Sequence, residues 1–501
     1  MADGRLGERP FSLSPEEVAC LRQALAAAGF GESSVAAALG VPSIDQIRRV
    51  PGAVALALTG EGTSLHTLLR LFVLGAPVER EAARRALAPL RLERALAGGL
   101  VKKRHAAVVG SVKMVPVDGL VLAFDRELPG DAGEAADHVM GPNESARLLS
   151  RLTIRRPVDD ALDLGTGCGY LAFLLARHAR RVVASDINPR ALAFTAFNAA
   201  LNAVDNVTTV CGDAFAPLAG QSFDSVVSNP PFMISPESRL LYLSGGMKAD
   251  GFVQRLAEEV PAFLRTGGIF QMRCNWVELA DTPWQERLAG WFRAGGCDAW
   301  VLRSSSTEAE AYARGWMRLG VADGEPDPAR LRAWLEYYAA EGIASVGGGT
   351  VTLRKRAAPG WFRAFDGPPS LGDGCGVALA ERLDTLTFLA ERAADDALMQ
   401  AVLSVAPGVR LVQECSIGAE GWVQELARVT TPSALGYVEE IDVYVGELIA
   451  ACDGARTVGA AVRHAAARAG LGPGEVPEAT PDIVRQLVEE GFLLPAGSQS
   501  T

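Results

Sequence analysis

The chain is poor in the features that would simplify its reading. Its eight cysteines (Cys20, Cys168, Cys211, Cys274, Cys297, Cys375, Cys415 and Cys452) are scattered and never form a C-x-x-C pair. That excludes a zinc ribbon and a dense disulfide scaffold, and points to a reducing compartment. Only five histidines occur, widely dispersed, so no metal-binding cluster is expected. No run approaches the ~20 apolar residues of a membrane span. The N-terminal MADGRLGERPFSLSPEE is polar, without a secretory apolar stretch, and the expected location is the cytoplasm. There is no fixed-period repeat and no low-complexity tract. Lysine is scarce beside arginine, a composition we ascribe to a GC-rich genome.

What remains is an ordinary globular composition, 49% hydrophobic and 21% charged, in 501 residues. At roughly 100–200 residues per domain, two to four domains are expected. The net charge of -11 is uneven: +3 over residues 1–125, -3 over 126–357 and -11 over 358–501. A phosphate-binding surface over the whole molecule is therefore not expected, but a local basic strip near the N-terminus is compatible with these numbers.

Residues 15–100 read as helices. Pro15-Glu16-Glu17 opens the first and Gly29 closes it; Ser64 is the expected cap of another; Glu79–Ala97 reads as one more. Val108–Val117 and Leu120–Phe124 then flank Asp118-Gly119, a two-residue hairpin signal. Helices followed by a hairpin suggest a winged-helix-like module over 1–125. Lys102-Lys103-Arg104-His105 precedes the expected wing, with a solvated turn as one reading and phosphate contacts as the sharper one.

Over 126–357 strands alternate with helices, which implies a doubly wound α/β sheet. The expected strands are Ala161–Leu164, Arg181–Ser185, Val207–Cys211, Ser225–Ser228, Ile269–Cys274, Ala299–Arg303 and Thr350–Leu353. Residues 358–376, rich in Gly and Pro, read as a linker. Residues 377–501 read as a smaller, acidic, mainly helical or winged-helix-like domain.

The chemistry concentrates in four motifs of the α/β region. Asp163-Leu164-Gly165-Thr166-Gly167-Cys168-Gly169 joins a strand to a helix, and its glycines permit close approach of backbone to a ligand. The third glycine comes one position too early for a dinucleotide fingerprint, which disfavours a nicotinamide cofactor. Asp186, followed by Ile187, ends the next strand 21 residues after Gly165, where a carboxylate can accept from both ribose hydroxyls of an adenosine. Asp213-Ala214 follows the third strand, within reach of an adenine amino group. Asn229-Pro230-Pro231-Phe232 follows the fourth. Two prolines stiffen that loop and offer carbonyls without competing N–H groups. The Asn229 side-chain oxygen and the Pro230 carbonyl can accept both hydrogens of one planar –NH2, with Phe232 stacked on the attached π-system. Cys168 and Cys211 read as core fillers, and Cys274 is not expected to be a nucleophile.

These four motifs, in this order over residues 140–303, resemble the class I S-adenosylmethionine (SAM)-dependent methyltransferases, within them the N-P-P-[FYW] amino-methyltransferase group. The resemblance implies a Rossmann-like sheet and SAM held by Asp163, Gly165, Thr166, Gly167, Gly169, Asp186, Ile187, Asp213, Ala214 and Asn229. It also implies methyl transfer at Asn229, Pro230, Pro231 and Phe232. The acceptors implied are adenine N6, guanine N2 or a glutamine carboxamide. Phe232 leans toward nucleic acid, RNA foremost, with Lys102, Lys103 and Arg104 as substrate contacts. Tyr242–Gly251 instead resembles a loop of the glutamine enzymes, and Gly141-Pro142-Asn143-Glu144 departs from both groups. A protein or small-molecule acceptor, and a non-catalytic SAM-binding regulator, are the alternatives. The acidic C-terminal domain is a candidate protein-binding element.

Overall fold

The computed structural model describes residues 10–126, 137–237, 246–292, 296–318, 327–367, 374–418, 421–431, 434–472 and 474–497. Packing divides the chain into two compact units. The first comprises Met1–Ser150, Arg156–Gly295 and Ser305–Val351; the second comprises Arg151–Arg155, Gly296–Ser304 and Thr352–Thr501.

The first unit opens with helices α1 (Pro15–Ala27), α2 (Glu32–Ala38), α3 (Gly52–Leu58) and α4 (Ser64–Leu68). Ser14 and Glu17 form a capping box at α1, with Pro15 in the first turn. Thr63, not Ser64, caps α4, accepting from the His66 amide at 3.1 Å. The run expected as one helix over 79–97 is two, α5 (Arg80–Leu87) and α6 (Leu92–Ala97). Pro89 forces the break, because it lacks an N–H and drives Ala88 into an extended conformation.

A short β1 (Val78–Glu79) precedes α5, and β2 (Val101–Arg104) and β3 (Ala107–Gly110) follow α6. They form an antiparallel sheet in the order β1-β3-β2. The basic run is therefore strand, not a turn ahead of the wing. The turn at His105 has φ of 53°, a left-handed conformation for which His105-Ala106 carries no Gly or Asn signal. The expected Asp118-Gly119 hairpin is present, joining β4 (Lys113–Val117) to β5 (Leu120–Phe124). The strand expected over 108–117 is interrupted between β3 and β4.

Next come α7 (Glu144–Leu152), β6 (Val158–Leu164), α8 (Tyr170–Leu175), β7 (Ala179–Asp186), α9 (Pro189–Asn202), β8 (Val207–Cys211) and β9 (Phe223–Ser228). A helix at Gly251–Glu259 then leads to β10 (Leu264–Leu279). The strands lie in the order β10-β9-β6-β7-β8 with parallel pairing throughout, the doubly wound arrangement expected. The sheet continues beyond β10 with β12 (Ile343–Lys355) and then β11 (Cys297–Glu308). Helices Ala309–Met317 and Pro328–Ala340 are inserted between β11 and β12.

One buried cluster runs from Val18 and Leu21 of α1 through Phe72 and Leu122 to Phe173, Phe194 and Val227. The N-terminal helices and the sheet thus share a core. Asn198 and Asn202 of α9 act as a surrogate strand for β5. Each carboxamide accepts a backbone N–H and donates to the carbonyl of the same residue, Ala123 or Val121, at 2.8–2.9 Å. Buried strand polar groups are thereby satisfied without another strand.

In the second unit, the stretch read as a linker contains β13 (Phe362–Asp366), paired in parallel with Ala299–Arg303 of β11. Hydrogen bonding to that ready strand edge overrides the Gly and Pro content on either side. Helices follow at Cys375–Ala390, Asp395–Met399, Val443–Ala451, Val458–Arg468 and Thr480–Glu490. The unit is less helical than expected. β14 (Val402–Val405) lies between β18 (Asp453–Thr457) and β19 (Leu493–Pro495). A second sheet comprises β15 (Arg410–Gly418), β16 (Gly421–Thr430) and β17 (Val438–Glu440). Among the described residues, no helix is long and apolar enough to cross a membrane.

Candidate active site

Strand order reverses between β6 and β9. The chain goes from β6 outward through β7 and β8, then returns to β9 on the other side of β6. A crevice opens beyond the carboxyl ends of strands at such a switch point. A cavity of about 230 Å³ lies there, and Gly165, Thr166, Gly167, Asp186, Ile187, Asp213, Ala214, Asn229, Pro230 and Pro231 all line it. Four motifs distant in sequence are thus brought together. Asp163, Gly169 and Phe232 do not line the cavity, and Lys102, Lys103 and Arg104 lie away from it on β2.

The glycine loop is held by hydrogen bonds to its backbone. Gly165 and Thr166 both donate to the Ser185 carbonyl, at 2.8 and 3.0 Å. Asp163 is buried, and its Oδ2 accepts from Thr166 Oγ1 at 2.7 Å and the Ala172 amide at 2.9 Å, tying the loop to α8. Burial pushes its carboxyl up to about 7. Gly165 and Gly167 have φ of 78° and 56°, and a Cβ on either would meet no atom within 4 Å. Both therefore present bare backbone to open space. Gly169 differs: a Cβ there would strike the Phe173 ring at 2.6 Å, so this glycine serves helix packing.

Asp186 accepts from the Gly167 amide through Oδ2 and from the Asn188 amide through Oδ1, each at 2.9 Å. Burial raises its carboxyl above the usual range, while the backbone donors oppose the shift. Each oxygen keeps a lone pair for a diol. The cap of α9 is Asn188, which accepts from the Arg190 amide at 2.9 Å. Asp213 is ion-paired with Arg255 at 2.9 Å, which leaves one oxygen for a ligand. Phe252 and Leu256 add an apolar wall that the motifs did not reveal.

The residues fit SAM on grounds internal to the structure. Ser185 Oγ, at the cavity wall, is a buried polar atom without a partner. Such atoms are costly unless a ligand or water satisfies them. The crevice supplies bare glycine backbone, a strand-end carboxylate with accepting capacity to spare, and an apolar wall.

At the Asn229-Pro230-Pro231 loop, Asn229 Oδ1 accepts from Ser145 Oγ at 2.7 Å. Ser145 sits in the first turn of α7, whose start is fixed by Asn143 Oδ1 accepting from the Ala146 amide at 2.8 Å. The loop beyond Phe232 is pinned by the inserted helices. The Ile234 amide donates to the Tyr312 hydroxyl at 3.2 Å, and the Tyr338 hydroxyl donates to the Ile234 carbonyl at 2.8 Å. Glu237 accepts from Arg330 at 2.6 and 2.7 Å and from Trp334 Nε1 at 2.8 Å. Ser145, Tyr312 and Tyr338 had no sequence signal, because their partners lie 84, 78 and 104 residues away. Residues 242–245 of the Tyr242–Gly251 segment lie outside the described residues.

Burial pushes the thiols of Cys168 and Cys274 up to about 12, so neither is a nucleophile at neutral pH. Cys211, expected in the core, is exposed, because β8 is the last strand of its sheet.

Comparison with known proteins agrees with this geometry. The methyltransferase small domain family matches residues 143–282, and two domains of unknown function match residues 27–111 and 380–495. A putative protein N5-glutamine methyltransferase of Methanocaldococcus jannaschii is 30% identical over 153 residues, 29% of this chain and 77% of the relative. The release factor glutamine methyltransferase of Aquifex aeolicus is 29% identical over 37% of this chain and 71% of its own. The ribosomal protein uL3 glutamine methyltransferase of Bradyrhizobium diazoefficiens is 35% identical over 32% of this chain and 54% of its own. With the glycine loop, Asp186 and the Asn229-Pro230-Pro231-Phe232 loop gathered at one switch point, the chain belongs to the class I SAM-dependent methyltransferases of the N-P-P-[FYW] amino-methyltransferase group.

Proposed function

We propose that this methyltransferase acts on the exocyclic amino group of a nucleic acid base, in RNA foremost, at adenine N6 or guanine N2. In this reading the Gly165-Thr166-Gly167 loop holds the amino-acid end of SAM, with Asp163 and Gly169 shaping the loop. Asp186 takes the ribose hydroxyls, Ile187 flanks the purine, and Asp213 and Ala214 meet its edge. Bound there, SAM supplies an electrophilic methyl group on sulfonium. Asn229 Oδ1 and the Pro230 carbonyl accept the two hydrogens of the target –NH2, while Pro231 keeps the loop rigid. The nitrogen lone pair is thereby released from its π-system and aimed at the methyl, so that the N–C bond would form as the methyl–sulfur bond breaks and a neutral thioether leaves, the surplus proton passing to solvent. Phe232 stacks on the acceptor. Orientation is the main contribution, worth up to ~7–11 kcal/mol in well-aligned reactions. The attacked nitrogen becomes more acidic as it alkylates, so no strong base is needed first.

The observation that carries the nucleic-acid reading is the N-terminal module. Its order of helix, β1, α5, α6, β2 and β3, with the sheet β1-β3-β2, supports a winged-helix reading. Lys102, Lys103 and Arg104 are exposed on β2, with no ion pair among the described residues. Replacing all three with alanine is expected to weaken RNA binding and reduce its salt slope by ~0.7–0.9 per lost phosphate contact. Filter binding across a salt series measures this. An unchanged slope would leave the run as edge-strand protection.

A second reading, methylation of a protein glutamine, is favoured by the relatives named above. Labelled SAM, offered with total RNA and separately with ribosomal and release-factor protein from a strain lacking the gene, discriminates the two. Label in RNA alone supports the first reading, and label in protein alone supports the second.

A further inference from the structure

A second cavity, of about 510 Å³, lies within the second unit, walled by Phe365, Tyr437, Glu439, Gln486, Glu489 and Glu490. Its charges do not balance. Asp366, also on the wall, is held by Arg303 at 2.6 and 3.0 Å, and Glu489 faces Arg363 at 3.3 Å. Arg485 is engaged by Asp395 and Asp482. Arg382, the buried cation nearby, donates to the Val488 and Glu490 carbonyls at 2.7 and 3.0 Å, closing the end of helix Thr480–Glu490.

Among the described residues neither Glu439 nor Glu490 forms an ion pair, although the buried Arg382 acts on Glu490 through space, and the two carboxyls repel each other at the cavity wall. Glu490 Oε1 accepts from Gln486 at 3.0 Å, while its Oε2 is buried without a partner. Independently of the carboxylates, the Tyr437 hydroxyl is also without a partner, on a side chain only 7% exposed. Tyr437 lines the same cavity as Glu439, Glu489 and Glu490. Orphaned acceptors of this kind are rare in native interiors and call for a missing donor.

We propose that this cavity binds an organic cation, a guanidinium or ammonium group on an alkyl stem. Its N–H donors would satisfy Glu490 Oε2, Glu439 and the Tyr437 oxygen together. The aromatic faces of Phe365 and Tyr437 suit a cation, and Val438 suits a stem. No group of three His, Cys, Asp or Glu side chains among the described residues has metal-holding geometry, which favours an organic cation over a metal ion. Without a cation the two carboxyls repel each other. Burial, opposed by Gln486 and reinforced by Glu439 and Glu489, raises Glu490 to about 7. A bound cation would favour the ionised form of Glu490.

The test is calorimetry on the full chain at physiological ionic strength, with agmatine, spermidine, a hexa-arginine peptide and MgCl2 as separate titrants. Saturable binding of agmatine, spermidine or the peptide is expected. It should weaken about tenfold or more in the Glu439→Gln/Glu490→Gln double variant, the scale of one charge-assisted hydrogen bond. Relief of the acid pair should leave melting unchanged or raised in that variant. Tyr437→Phe, which keeps the ring, should weaken binding by less. Tighter binding of the peptide than of the free amines would identify a partner's arginine as the source; the reverse would identify a free polyamine. No saturable binding of any organic cation, equal affinity in the double variant, or saturation by Mg²⁺ alone would overturn the proposal.

Discussion

The two halves of the cavity proposed for methyl transfer, one assigned to the cofactor and one to the acceptor, are built on different principles. The cofactor half is local: Gly165, Gly167 and Asp186 act through backbone conformation and through hydrogen bonds to amides on adjacent strand ends. The acceptor half is assembled at long range, with Ser145 on Asn229 and two tyrosines of inserted helices on Ile234. A common cofactor can be held by a portable strand–loop–helix element. An individual acceptor needs a loop whose position is set by the rest of the molecule.

That contrast can be broken or sharpened by substitution. The largest effect among four is expected for Asp186→Ala, which removes a carboxylate from the cofactor half. SAM affinity should fall by ~1.5–3 kcal/mol per charged hydrogen bond lost, read by calorimetry. Preserved affinity would detach Asp186 from the cofactor. Phe232→Ala should weaken acceptor binding by ~1–3 kcal/mol, the scale of base–aromatic stacking, with SAM affinity unaffected. Phe232→Tyr should be mild in the same titration.

Ser145→Ala should lower turnover by up to roughly tenfold, the scale of one neutral hydrogen bond, with SAM affinity and melting temperature little changed. Ser145→Thr should restore turnover, which a simple packing defect would not do. The remaining effect is on stability rather than on binding or turnover. The Asp163 carboxyl titrates near 7 in the folded protein against its ordinary value of 3.8. The folded chain therefore holds a proton that the unfolded chain has already lost, and stability falls as pH rises from about 4 to 7. Asp163→Asn should flatten that portion of the melting-temperature profile of the SAM-free protein. An unaltered profile would assign the pH dependence elsewhere.

The same local-versus-distant distinction governs what was legible in the sequence. The β6–loop–α8 element, Asp186 and the Asn229 loop were legible because each depends on nearby glycines, prolines or a strand-end acid. Val207–Cys211 was legible because it is bounded by turn residues. Strand β2 was hidden by three consecutive charged side chains, since only Val101 faces inward. The β15–β16 hairpin was hidden because it is exposed along most of β15, so no period-two burial pattern marks it. β13 was masked by flanking Gly and Pro and exists because β11 offers an edge. Ser145 sits in a helix turn that any small polar residue would suit, and its role appears only with Asn229 beside it.

Asn229 lines the cofactor cavity and is also assigned to the acceptor; its main role is proposed to be orienting the acceptor, with only a small share in SAM affinity, and a paired measurement on Asn229→Ala separates the two. The reactions are single-turnover methyl transfer from labelled SAM to the fraction that the parental enzyme labels, and calorimetric SAM binding to the same preparation. Turnover is expected to fall by roughly 10²-fold or more, the scale of one positioned catalytic hydrogen bond, with SAM affinity nearly unchanged. Near-parental turnover, or a loss of turnover matched by an equal loss of SAM affinity, would contradict it.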